Sequence, residues 1–129
     1  ALEAVLAPTG TLPTQTGNAG KVLFTTGTSA YWGLLYSDWA TKSSAYTAAA
    51  GDRLRCNTSG GAFTVTLPAS PADGAQIWFM DYSGTFDSYA VTFDGNGKTV
   101  LGDTTFVADI KHLSGALVYI SASGDWGYA

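Results

Sequence analysis

Phe63, Val65 and Leu67 alternate with Thr64 and Thr66, which places apolar side chains on one face of an extended segment and hydroxyls on the other. Ser59-Gly60-Gly61 before this segment and Pro68-Ala69-Ser70-Pro71 after it stop the ladder, since Gly favours turns and Pro lacks a backbone donor. Further strand candidates follow at fairly even spacing: Tyr46–Ala48, Arg53–Asn57, Gln76–Asp81, Ala90–Phe93, Thr99–Leu101, Thr105–Ile110, Leu117–Ser121 and Trp126–Tyr128. Turns such as Ala72-Asp73-Gly74, Asp94-Gly95-Asn96-Gly97 and Ser123-Gly124-Asp125 divide them with residues that tolerate positive φ. Many short strands between Gly-rich turns predict an all-β fold, a small antiparallel β-sandwich or jelly-roll-like domain.

The pattern changes near residue 45. Residues 1–45 are punctuated by Pro8, Gly10, Pro13, Gly17, Gly20, Gly27 and Gly33, and read as an extended N-terminal arm. Within it, Lys21–Thr25 and Ala30–Gly33 flank the turn Thr26-Gly27-Thr28 and predict a short hairpin. Ser37–Ala45 is the one helix candidate, with Ser37 or Asp38 as its cap. The expected organisation is an arm over 1–45 and a β-domain over 46–129.

Of the 129 residues 46% are apolar and only 12% charged, which argues for a folded domain with an uncharged surface rich in Thr, Ser and Gly. Such a surface suits packing against identical neighbours. The formal charge of −4 with scattered Lys and Arg offers no basic stripe, so nucleic acid is not an expected partner. Cys56 is the sole cysteine, which excludes an intrachain disulfide and a cysteine-built metal cluster; it reads as a small buried apolar group. No apolar run reaches the ~20 residues of a membrane span, and Ala1 to Ala7 lack a basic leader region, so the expectation is a soluble protein made in the cytoplasm.

Two longer motifs carry a family resemblance. Thr11-Leu12-Pro13-Thr14-Gln15-Thr16-Gly17-Asn18-Ala19-Gly20-Lys21-Val22-Leu23, followed by Thr26-Gly27-Thr28-Ser29-Ala30-Tyr31-Trp32-Gly33, resembles a connector common in tail-fibre and other structural proteins of tailed bacteriophages. Tyr46-Thr47-Ala48-Ala49-Ala50-Gly51-Asp52-Arg53, Thr64-Val65-Thr66-Leu67-Pro68-Ala69-Ser70-Pro71 and Gly74-Ala75-Gln76-Ile77-Trp78-Phe79-Met80-Asp81 resemble a β-domain often found with that connector. The resemblance implies a virion structural protein in a tail fibre or other surface appendage, made in the host cytoplasm and usually homotrimeric. Its implied partners are itself, other virion proteins and host surface polysaccharide. A glycan-binding tip domain and a capsid decoration protein are the alternatives.

Catalytic chemistry is sparsely provided for. His112 is the only histidine and sits in a turn-like context, no serine lies in a Gly-x-Ser-x-Gly elbow, and Glu3 is the only glutamate. Asp81, Asp87, Asp94, Asp103 and Asp109 are the candidates for a glycosidase carboxylate pair, but all except Asp109 sit in contexts where Asp braces backbone. Asp94-Gly95-Asn96-Gly97-Lys98 imitates the start of a calcium loop yet lacks the downstream Glu, and it reads as a hairpin turn between Val91–Phe93 and Thr99–Leu101. No enzyme, metal or cofactor is expected. Aromatic residues are the functional lead: Tyr31, Trp32, Tyr36 and Trp39 near the junction, and Trp126 and Tyr128 on one face of the last strand. They are candidates for glycan or subunit contact, because aromatic faces serve both, with packing ahead of glycan contact for Trp32 and Trp39 and core as the default for Trp126 and Tyr128.

Overall fold

A computed structural model of the chain describes residues 13–33 and 38–129, which fall into two compact units, 13–33 in the first and 38–129 in the second. In the first unit, β1 (Val22–Thr25) and β2 (Ala30–Gly33) form the expected antiparallel hairpin, with Phe24 stacked on Tyr31 at 5.6 Å between ring centroids. Gly27, at φ 94°, turns the chain between them.

The second unit is all-β, and no helix occurs among the described residues. A six-stranded sheet has the order β3 (Trp39–Lys42), β5 (Arg53–Cys56), β7 (Gln76–Asp81), β11 (Ser114–Ile120), β12 (Asp125–Tyr128), β9 (Thr99–Val100). A four-stranded sheet has the order β10 (Thr105–Ala108), β8 (Val91–Asp94), β6 (Phe63–Thr66), β4 (Tyr46–Thr47). From β3 to β11 the chain changes sheet at every step. This alternation produces parallel neighbours, β3 with β5, β5 with β7, β4 with β6 and β6 with β8, because each crossover is itself a strand of the opposite layer. Of the later strands, β10 on β8, β11 on β7 and β12 on β11 are antiparallel, while β9 joins β12 in parallel. The sandwich is therefore mixed rather than wholly antiparallel: period-two alternation selects a strand but leaves its partner's direction open.

Alternate residues fill the space between the layers. Leu54, Cys56, Ile77, Phe79, Leu117 and Trp126 come from the larger sheet and Phe63, Val65, Val91 and Phe93 from the smaller, all buried. Phe79 and Phe93 meet across the layers with centroids 4.7 Å apart.

Two local expectations are corrected. The segment expected to be helical over Ser37–Ala45 instead supplies β3, bonded parallel to β5. A helix that short is marginal on its own, whereas the exposed edge of β5 offers a full ladder. The first strand of the sandwich thus comes from residues assigned by composition to the arm. Asp94–Lys98 also differs from the hairpin expected of it: β8 and β9 belong to different sheets, so this turn is a corner between layers. Asn96 at φ 53° and Gly97 at φ 94° make the bend, and the Asn96 amide Nδ2 donates to the Leu67 carbonyl at 3.1 Å.

Candidate functional site

The outward face of the six-stranded sheet brings aromatic and cationic side chains together. Residues pointing away from the core on β3, β5, β7 and β11 line up in register, Trp39 beside Arg53, Arg53 beside Trp78, and Trp78 beside Ala116. The next row runs Thr41, Arg55, Met80, Ser114. The guanidinium of Arg53 lies 4.7 Å from the Trp39 ring centroid, and that of Arg55 lies 5.8 Å from the Tyr82 ring centroid, both cation–π placements. Trp78 is 40% exposed and Tyr82 53%, so both rings are open to a partner. The indole Nε1 of Trp78 donates to Gln76 Oε1 at 3.0 Å, which holds that ring along its strand.

An open cleft of about 660 Å³ lies on this face, lined by Asp38, Trp39, Arg55, Met80 and Tyr82. Arg55 Nη2 donates to the Trp39 carbonyl at 3.1 Å, while its buried Nε has no hydrogen-bond partner among the described residues. The cleft thus offers aromatic walls, a thioether and a guanidinium with donor capacity in reserve.

The residues singled out from sequence are dispersed. Tyr31 is half exposed on the hairpin, and Trp32 there donates Nε1 to the Pro13 carbonyl at 3.3 Å. Tyr36 lies outside the described residues. Trp39 forms one wall of the cleft. Trp126 has no exposed surface and packs on Tyr119 at 5.3 Å, making it a core residue of this unit. Tyr128 shares its inward face but reaches the open end of the sandwich, 43% exposed, where its hydroxyl donates to the Ser114 carbonyl at 2.7 Å. Arg55, Met80 and Tyr82 were not anticipated. The signal for Met80 was present in β7, where Ile77 and Phe79 point inward and Trp78 and Met80, also apolar, must then point outward.

Asp81 and Asp94 serve the fold. Asp81 is buried and accepts backbone N–H groups of Gly84, Thr85, Phe86 and His112 at 2.9 to 3.2 Å. Burial alone would raise its pKa, but those backbone bonds together outweigh it and hold the carboxyl below its ordinary value. His112, at φ 63°, spends its backbone N–H on this carboxylate. Asp94 Oδ1 accepts the Asn96 N–H at 2.8 Å, and Asp87, Asp103 and Asp109 are exposed. Cys56 is fully buried, and that burial, with the nearby Asp81 charge, pushes its thiol up to about 12. Among the described residues no cluster of three His, Cys, Asp or Glu side chains could hold a metal ion, and no helix is long and apolar enough to cross a membrane.

No protein-family model and no curated protein matches this chain.

Proposed function

We propose that this chain is a non-enzymatic structural protein of a tailed-bacteriophage virion, acting in a tail fibre or fibre-like appendage for assembly and host attachment. The resemblance of its connector and β-domain motifs to such proteins supports the reading. The observation that carries it is how the second motif is used. Tyr46 and Asp52 hydrogen-bond to each other, Ala48 is buried, Gly51 turns at φ 89° and Arg53 caps Trp39. Residues committed in this way serve the fold and leave contact to its surfaces.

Self-association into a homotrimer fits the edge strand β10. Val107 on that strand is 48% exposed and Ile110 just beyond it 62%, and an apolar open edge is a template for pairing with another copy. Light scattering on the whole chain should find an oligomer, and a stable monomer at micromolar concentration would count against assembly. Immunogold labelling of virions then distinguishes an appendage from a head decoration. A glycan-binding tip is the second reading, favoured by the aromatic and arginine-lined cleft.

A further inference from the structure

We infer that the cleft formed by Asp38, Trp39, Arg55, Met80 and Tyr82 is a binding site for an acidic saccharide, with Arg55 as the group that reads the sugar's carboxylate. This rests on the glycan-binding reading and goes beyond it by naming the chemical class. The chain is acidic overall, yet Arg53 and Arg55, two of its six basic residues, stand side by side in sequence register on this one sheet face. Among the described residues, Asp38 is the one carboxylate lining the cleft.

Arg55 has the chemistry required. A planar guanidinium binds a carboxylate through paired N–H donors, and one held beside aromatic surface is less hydrated than one in open water. Its Nη2 is anchored on the Trp39 carbonyl, which fixes the plane, and with Nε buried the outer N–H groups of the guanidinium are the ones that can meet a ligand. The remaining lining suits a pyranose ring. Trp39 and Tyr82 line the cleft with aromatic surface suited to the C–H groups of a sugar, and Asp38 accepts hydroxyl protons. The site is shallow and open, which fits a chain-like ligand passing across a sheet face better than an enclosed small molecule. An acidic peptide would use the guanidinium but leave the aromatic walls without a ring to match.

The test titrates the whole chain with a short oligogalacturonate and with its methyl-esterified counterpart, which keeps the rings and removes the charge, following binding by tryptophan fluorescence and calorimetry. Binding of the acid form, weakened about tenfold or more by esterification and by Arg55→Gln, is expected, since each change removes a charge-assisted pair. Arg55→Lys should keep part of the affinity. Tyr82→Ala, at an exposed position that leaves the core intact, should weaken both forms, and Lys98→Gln on the distant corner should change nothing. Equal binding of the acid and ester forms overturns the charge assignment while leaving the glycan reading intact. Failure to bind either form overturns both. Binding of poly-glutamate as tight as that of the oligosaccharide, unaffected by Tyr82→Ala, overturns the saccharide assignment in favour of an acidic peptide.

Discussion

The phenol of Tyr46 donates a 2.7 Å hydrogen bond to Oδ2 of Asp52, the same oxygen that accepts the Ala49 backbone N–H at 2.9 Å. The pair ties β4 of the small sheet to the turn entering β5 of the large one, so a single carboxylate fixes where the chain crosses between layers. Tyr46→Phe should lower stability by about 1 kcal/mol, the usual net worth of a hydrogen bond, visible as a Tm drop of several degrees. The hydrogen bond to Asp52, then burial and the Asp52 charge, raise the Tyr46 pKa above its ordinary value. Deprotonation therefore opposes the fold. Stability from this group is complete below the unfolded tyrosine value and declines as pH rises through the folded one, and Asp52→Asn should reduce that alkaline loss in pH-dependent melts.

Asp81 should dominate the acid side. Its carboxylate joins the loop after β7 to the turn before β11 through four backbone donors. With the folded pKa lowered, its contribution is fully present above the unfolded value and is lost as pH falls through the folded one. Asp81→Asn, which puts an amide donor among N–H groups, should cost about 2–4 kcal/mol and flatten the stability profile at acid pH, as read by urea denaturation at several pH values.

Cys56 should be chemically silent in the native protein. It has no exposed surface and its thiol is held protonated at neutral pH. A thiol-disulfide reagent should modify it only in denaturant, and reaction with the native protein at the rate of a free thiol would contradict the core assignment. Cys56→Ser should destabilise more than Cys56→Ala if the new hydroxyl goes unpaired.

Gly95 marks a steric limit. A Cβ there would collide with the carbonyl oxygen of Lys98, within the corner joining the sheets. Gly95→Ala should therefore cost at least about 2 kcal/mol, while Gly60→Ala, in open space, should be close to neutral in the same denaturation experiment.

Val107 provides the check on assembly. Val107→Lys places a charge on the exposed face of edge strand β10 and should shift an oligomer toward monomer in analytical ultracentrifugation with little change in circular dichroism. An unchanged oligomer would remove β10 from the interface.

By itself the sequence determined where the strands lie and which of their residues face inward. Phe63/Val65, Ile77/Phe79 and Val91/Phe93 alternate as local geometry demands, and Gly- and Asp-rich turns end each run, so these elements follow from short-range sterics and burial. The motif around Tyr46 was legible as a unit, though not its reason, the carboxylate brace at Asp52. Tertiary structure decided the rest. Whether a strand joins a neighbour parallel or antiparallel depends on the path taken through the opposite sheet, which no local pattern records. The same holds for Trp39–Lys42, drawn into a strand by the free edge of β5. It holds above all for the cleft, because Trp39, Arg55 and the Met80–Tyr82 segment come from three separate stretches of chain and meet only through the parallel registers of β3, β5 and β7.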